Sequence, residues 1–302
     1  MVTTPPYLVA GDIVGLICPA GYMALGNAQT CIDVLQQWGY QVRIGKTLYS
    51  QSENYFSGSD AERLEDLQQM LDDPQVKAIF CARGGYGLGR IIDQVSFRQF
   101  KKNPKWIIGF SDVTVLHAHI HNQYNIATLH APMAAAFNDG EFQNEFVQSL
   151  RGALAGQKIR YRCPPHPLNR RGEAIGELVG GNLSLLAHLV GTNSECRTKG
   201  KILFIEDVGE YLYHADRMLY QLLRAGRLEK LAGLIVGSFT EMNDTDRPFG
   251  RSVYEIVHEA TRGYRYPVCF GFPVGHTREN YALKTGVGYK LRVSNSKVTL
   301  EE

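Results

Sequence analysis

The chain has 302 residues, of which 44% are apolar, and 32 basic residues against 30 acidic ones give a formal charge of +2. A chain of this length buries a substantial core and is long enough for two domains. The even charge balance argues against a surface for nucleic acid or anionic membranes, so we expect neither partner. The sequence has no long apolar segment, no export signal and no CxxC pair among its six cysteines, which predicts a cytoplasmic protein.

The first half alternates short apolar runs with amphipathic stretches. The pattern predicts strands at 12–18, 41–44, 76–81 and 106–110, and helices at 28–38 and 61–71, the second with acidic residues on its outer face. This alternation is typical of an α/β domain with a parallel sheet. Ligands bind such sheets beyond the carboxyl ends of the strands, so the loops at 19–22, 82–89 and 111–112 are the candidates for a site.

The pattern lapses between residues 151 and 172 into glycine, proline and basic residues, which predicts a linker between domains at 1–150 and 173–302. Beyond it we expect a smaller α/β domain. Its predicted helices lie at 183–190, 215–224 and 253–261, and its predicted strands at 202–205 and 234–237.

A serine stands where the strand at 106–110 runs directly into a helix. The sequence IGFSD at 108–112 places Ser111 at the turn, with Gly109 two residues earlier. This is the pattern of a nucleophile elbow, although Val113 replaces the second glycine of G-x-S-x-G. The alternative is a plain helix cap, because serine and aspartate are preferred N-cap residues.

A glycine-rich loop, CARGGYGLG at 81–89, follows the third predicted strand. It lacks the G-x-G-x-x-G spacing of a dinucleotide site and the lysine of a phosphate-binding loop. An amide of Gly84 or Gly85 would suit an oxyanion hole beside an exposed serine.

A serine nucleophile needs a base and an orienting carboxylate. His276 stands out among nine histidines because it follows Gly275 after an apolar run, and Glu206 and Asp207 end the strand at 202–205. The alternative is that neither carboxylate is catalytic, and that both only solvate the strand end or cap the following helix. The remaining cluster, His117, His119 and His121, lacks the H-E-x-x-H pattern, so we interpret it as packing and surface histidines and not as a metal site.

Together these segments resemble the LD-carboxypeptidases, or muramoyltetrapeptide carboxypeptidases. The similar segments are ARGGYG at 82–87, IGFSD at 108–112, LFIED at 203–207 and GH at 275–276, supported by GDIVG at 11–15 and GGNL at 180–183. The resemblance implies a flavodoxin-like or Rossmann-like N-terminal domain, a C-terminal domain that completes the site, and a homodimer. It also implies a triad of Ser111, Glu206 and His276 without metal or other cofactor.

The implied reaction releases terminal D-alanine from cytoplasmic murein tetrapeptides during cell-wall recycling. We expect the amides of Gly85 and Asp112 to hold the oxyanion, and Arg83, beside Gly84, to bind the terminal carboxylate unless it pairs with a surface acid. Asn182 is either a further substrate contact or a helix cap.

Two other functions compete with this one. The microcin-C immunity peptidases of the same family would use the triad on peptidyl or aminoacyl nucleotides, but they are generally longer and carry an extra aromatic loop, whereas Trp38 and Trp106 lie in a predicted helix and strand. A non-catalytic protein that binds a sugar or nucleotide would keep Ser111 only as a cap.

Overall fold

A computed structural model describes residues 2–302 of the chain. The residues divide into two compact units. The first contains the chain up to Gln157 together with Tyr281–Lys284, and the second contains Lys158–Asn280 and Thr285–Glu302.

The first unit is built on a sheet whose strands are ordered β11-β5-β4-β3-β1-β2. Its strands are β1 (Ile13–Ile17), β2 (Gln41–Ile44), β3 (Val76–Cys81), β4 (Trp106–Gly109), β5 (Thr128–His130) and β11 (Leu283–Thr285). The pairs among β1 to β5 are all parallel, and the order 2-1-3-4-5 is that of flavodoxin-like sheets. The parallel sheet and its flavodoxin-like character are therefore confirmed.

Helices connect these strands. They are α1 (Leu25–Gln37), α2 (Asp60–Asp72), α3 (Leu88–Ile91), α4 (Arg98–Lys102), α5 (Thr114–Tyr124) and α6 (Glu145–Leu154). A capping box of Ser59 and Glu62 begins α2. The sequence predicts that the acidic residues of this helix lie on its outer face, and for Asp66 this prediction is wrong. Asp66 is buried and accepts hydrogen bonds from the amide and hydroxyl of Thr47.

The second unit has a mixed sheet ordered β10-β9-β8-β7-β12-β13-β6. Its strands are β6 (Arg160–Cys163), β7 (Gly172–Asn182), β8 (Ile202–Val208), β9 (Gly233–Thr240), β10 (Val268–Phe270), β12 (Gly288–Val293) and β13 (Val298–Glu301). Strands β7 to β10 pair in parallel, and β7, β12, β13 and β6 pair antiparallel. The helices are α7 (Leu183–His188), α8 (Leu212–Arg224) and α9 (Val253–Thr261). An α/β fold in both halves is thus confirmed.

The stretch predicted as linker, 151–172, is partly regular structure. It contains the end of α6 and the whole of β6, which pairs with β13 at the edge of the second sheet. The sequence RYRC of β6 exposes two arginines, so it lacks the apolar run by which a strand is recognised. Within residues 2–302, no helix combines the length and apolar character needed to cross a membrane.

Candidate active site

Ser111 occupies a turn with left-handed backbone geometry. Its φ angle is +62°, and it begins a short 3-10 turn at the end of β4 that continues into α5. A positive φ is costly for a residue with a side chain and is found where the surroundings enforce it, as at nucleophile elbows. The cap residue of this turn is Phe110, and no side chain caps it, so the plain N-cap interpretation of Ser111 is wrong.

Glycines permit the close packing around this serine. A β-carbon at Gly109, where φ is +148°, would lie 2.9 Å from Cγ2 of Val113. One at Gly84 would lie 2.8 Å from the β-carbon of Ser111 and 3.1 Å from its hydroxyl oxygen. Real β-carbons essentially never approach other atoms below 3.0 Å. The structure therefore brings the glycine-rich loop directly against the candidate nucleophile.

The loop that carries Gly84 is fixed by its backbone. The Gly84 carbonyl accepts a 2.9 Å hydrogen bond from the amide of Gly21, in the loop after β1. The next residue, Gly85, has a φ of +94° and is exposed, and within residues 2–302 its amide donates to no protein acceptor. An amide in this position is available to a substrate oxygen.

Arg83 is exposed at the edge of the same loop. One guanidinium nitrogen donates to the carbonyl of Tyr22, and across the described part of the chain no acidic side chain pairs with it. The expected alternative, a pair with a surface acid, is therefore not seen. Because the side chain is exposed and a guanidinium has five N–H donors, Arg83 retains the capacity to bind a carboxylate.

In the second unit, Glu206 and His276 form a close pair. Glu206 lies near the carboxyl end of β8 and is fully buried, and its Oε2 atom is 2.6 Å from Nδ1 of His276. A carboxylate can only accept, so in the neutral imidazole Nδ1 carries the proton and Nε2 carries the lone pair. Within residues 2–302, the second carboxylate oxygen of Glu206 has no hydrogen-bond partner.

Local backbone features place this pair. The register of β8 against β9 shifts between Ile205 and Asp207, and such irregularities re-aim side chains at strand ends. A β-carbon at Gly275, where φ is +129°, would lie 2.3 Å from the Ser238 hydroxyl and 2.9 Å from Cβ of Glu206. The glycine before His276 is thus required for the histidine loop to reach the buried carboxylate.

The surroundings of His276 favour its protonated form. Burial lowers its pKa, but the hydrogen bond and charge of Glu206, with the charges of Asp207 and Glu241, outweigh burial and raise the pKa above its ordinary value. A base with a raised pKa accepts a proton readily in the transition state.

Asp207 and Asn182 form a separate polar group beside this pair. Burial raises the pKa of Asp207 to about 6, although it accepts hydrogen bonds from the Val208 and Ser184 amides and from the Asn182 side chain. The Asn182 side-chain oxygen accepts from the amide of Leu185 and so caps α7. The cap, one of the two expectations for Asn182, is present.

The three histidines of α5 are all buried, so describing some of them as surface residues is wrong. His117 donates from Nε2 to the carbonyl of Gly109, and burial lowers its pKa to about 4. His119 stacks on Phe97 with ring centres 5.1 Å apart. Across residues 2–302, no group of three or more metal-binding side chains is gathered in one place.

Sequence reasoning missed Arg63, which lies at a fully buried position of α2. Its Nη1 donates to the carbonyl of Pro19, and a β-carbon at Gly87 would lie 2.5 Å from that nitrogen. The signal was present in the sequence: position 63 shares a helix face with the apolar residues Leu67 and Met70.

Comparison with known proteins gives matches in both halves of the chain. Residues 14–131 match the LD-carboxypeptidase N-terminal domain, and residues 175–291 match the LD-carboxypeptidase C-terminal domain. A curated Bacillus subtilis protein, "Probable murein peptide carboxypeptidase", is 36% identical over 98% of this chain and 94% of its own length.

Two solved structures superpose closely. Muramoyltetrapeptide carboxypeptidase from Oxalobacter formigenes has a TM-score of 0.87 at 28% identity, covering 96% of this chain and 98% of its own. Microcin C7 self immunity protein MccF, in complex with aspartyl sulfamoyl adenosine, also has a TM-score of 0.87, but at 22% identity, covering 100% of this chain and 98% of its own. The second likeness shows a shared fold alone.

Proposed function

Because the chain belongs to the LD-carboxypeptidase family of serine peptidases, we propose that it hydrolyses the L,D-peptide bond to the terminal D-alanine of murein tetrapeptides. The observation that carries this proposal is the 2.6 Å contact between Oε2 of Glu206 and Nδ1 of His276, the pairing of carboxylate and histidine that a serine nucleophile requires. The names of the Bacillus relative and the Oxalobacter structure support the substrate class.

In the proposed mechanism, Ser111, His276 and Glu206 act as the triad. The Ser111 oxygen attacks the carbonyl carbon of the scissile bond while Nε2 of His276 takes the hydroxyl proton. The amides of Gly85 and Asp112 donate to the oxyanion that forms. Collapse of the tetrahedral intermediate breaks the C–N bond, and the proton held by His276 passes to the amine of the departing D-alanine.

Deacylation follows the same path with water in place of the serine. His276 removes a proton from the water as its oxygen attacks the acyl ester, and the proton then returns to Ser111 as the ester bond breaks. Glu206 remains ionised and stabilises the imidazolium in both halves of the reaction.

A carboxypeptidase must also bind the free carboxylate at the end of its substrate. We assign this role to Arg83, whose exposed guanidinium lies on the loop beside Gly84 and has no acidic partner among residues 2–302. We assign Asn182 two roles in the site. Its side chain holds Asp207 and the start of α7 beside Glu206, and it also contacts the substrate directly.

The decisive experiment is incubation of the purified protein with murein tetrapeptide, followed by chromatography for tripeptide and D-alanine. The wild type releases D-alanine, and a folded Ser111→Ala variant releases it more slowly by orders of magnitude. Near-normal release by that variant would exclude the serine mechanism. A parallel incubation with a peptidyl nucleotide tests the immunity-peptidase alternative, which requires faster turnover of that compound.

We further propose that the protein is a cytoplasmic homodimer, as the family resemblance implies. Light scattering coupled to size-exclusion chromatography measures the oligomeric state, and fractionation of the source cells measures the location. A monomer at micromolar concentration would contradict the dimer.

A further inference from the structure

The segment Gly84–Leu88 is tied at both ends to two consecutive residues of the serine turn. At one end, the α-carbon of Gly84 packs against Ser111, so closely that a β-carbon there would lie 2.8 Å from that of the serine. At the other end, the amide of Leu88 donates a 2.8 Å hydrogen bond to Oδ2 of Asp112. Gly85, with the amide proposed for the oxyanion hole, lies between the two attachments.

The Asp112 carboxylate is an unusual group to find in this position. It is fully buried, and within residues 2–302 its Oδ1 atom has no hydrogen-bond partner. Burial raises its pKa to about 6, against the opposing effects of the Leu88 and Gly87 amides and the charge of Arg63. Burying a carboxylate that is only partly hydrogen-bonded destabilises a fold. Stability alone therefore does not account for Asp112.

A buried cation supports the same segment. The guanidinium of Arg63 lies against Gly87, closely enough that a β-carbon there would approach Nη1 to 2.5 Å. The same nitrogen donates to the carbonyl of Pro19, in the loop after β1, and Arg63 also pairs with Asp60. The end of the segment near Leu88 is thus held by two buried charged side chains, Arg63 and Asp112.

We propose that the Asp112 side chain is a positioning residue, which holds the segment Gly84–Leu88 against Ser111 so that the Gly85 amide stays aimed at the developing oxyanion. The inference rests on the proposed function for its catalytic consequence. It adds a role for the Asp112 carboxylate to the role already proposed for the Asp112 backbone amide. The carboxylate acts through Leu88 and touches no reacting atom.

The test compares Asp112→Ala with Asp112→Asn in the full-length protein. Alanine removes the acceptor of the Leu88 amide, whereas asparagine keeps an oxygen in its place. We expect Asp112→Ala to lower kcat about 100-fold with KM changed less than about threefold, since loss of one oxyanion donor costs this much. We expect Asp112→Asn to recover kcat to within about tenfold of the wild type.

Asn144→Ala is the matched control. The Asn144 side chain accepts from the amide of Val147 at the start of α6, a contact of the same kind in the same unit. This variant loses a comparable hydrogen bond, and we expect its kcat to equal that of the wild type. A kcat for Asp112→Ala no lower than that of the control overturns the proposal, as does failure of asparagine to recover activity.

Hydrogen–deuterium exchange of the peptide that contains Leu88 gives a readout independent of turnover. Exchange at this amide becomes at least tenfold faster in Asp112→Ala and stays close to wild type in Asn144→Ala. If the wild type releases no D-alanine, the proposed function fails, but the exchange rates still decide whether Asp112 holds the segment. Unchanged exchange in Asp112→Ala overturns the positioning role. If alanine prevents folding, Asp112→Ser replaces it in both measurements, because a serine hydroxyl is too short to reach Leu88.

Discussion

His276 reaches Glu206 only because residue 275 is a glycine. The Nδ1 atom of His276 lies 2.6 Å from Oε2 of Glu206, while a β-carbon on residue 275 would lie 2.9 Å from Cβ of the same glutamate and closer still to Ser238. The acid–base pair and the backbone that presents it are therefore a single packing arrangement.

This pair predicts the pH dependence of turnover. The base must be neutral, and its pKa is raised by Glu206, so kcat of the wild type falls as pH drops through a value above 6.5. In Glu206→Gln the raising charge is lost, so the acidic limb moves to lower pH, and the plateau kcat falls by about 10³-fold or more. A pH profile of kcat measures both effects.

Glu210→Gln provides the control for this experiment. Glu210 also contacts Nδ1 of a histidine, His214, at 2.9 Å, but both side chains are partly exposed. We expect this variant to keep the wild-type limb and plateau. An acidic limb that stays in place in Glu206→Gln would contradict the assignment of His276 as the base.

The contact between Gly84 and Ser111 predicts a strong effect of one methyl group. Gly84→Ala places a β-carbon 2.8 Å from that of Ser111, so the loop or the serine must move. We expect kcat to fall about 100-fold or more. Gly26→Ala, where the added carbon meets nothing within 4 Å, is the control and should leave kcat unchanged. Wild-type turnover by folded Gly84→Ala would show that the loop does not position the nucleophile.

The proposed carboxylate site predicts a substrate-dependent effect of Arg83→Met. Loss of the guanidinium removes charge-assisted hydrogen bonds to the free terminus, so KM for the tetrapeptide rises by about 10- to 100-fold. A substrate with an amidated terminus loses nothing further, because it carries no charge to pair. Steady-state kinetics with both substrates make the comparison, with exposed Arg98→Met as control. Equal effects on the two substrates would argue against this role.

His117 predicts a loss of stability in acid. Its pKa is about 4 in the folded protein, against an ordinary 6.5, so below pH 6.5 the unfolded chain binds a proton that the folded chain refuses. The contribution of His117 to the free energy of unfolding therefore falls as pH drops from 6.5 towards 4, by about 3 kcal/mol in full. Asp112, Asp207 and His276, whose pKa values are raised, contribute in the opposite direction. Urea unfolding at pH 7.5 and 5.0 measures this slope. The change in the free energy of unfolding between the two pH values should lack the His117 contribution in His117→Gln, whereas exposed His188→Gln should show the same change as the wild type.

The buried parallel strands are the part of the fold that sequence predicts best. β3 has the predicted bounds, because an apolar run between polar loops has few other interpretations. The edge strand β2, whose residues are exposed or half-buried, also begins and ends as predicted. The sequence does not predict β6, because the arginines of this edge strand face outward. The helix α1 begins three residues before its predicted start, because Ala24 gives no capping signal.

The candidate site also has parts that the sequence predicts and parts that it does not. Ser111 at a strand end is recognisable from sequence, since elbow and parallel strand have local patterns. The Asp112 contact with Leu88 is not, because it joins loops 24 residues apart whose separation is set by the packing of β3 beside β4. The choice between cap and nucleophile for Ser111 depends on a φ angle, which residue type alone does not determine.

The segment Tyr281–Lys284 belongs to the first unit although it follows most of the second. A fragment that ends at Gln157 would lack β11 and leave β5 as an unpaired, aggregation-prone edge. A single cut in the chain therefore does not separate the two units. Recombination between relatives would have to exchange this late strand along with the first 157 residues, because a crossover at residue 157 alone would divide the first unit.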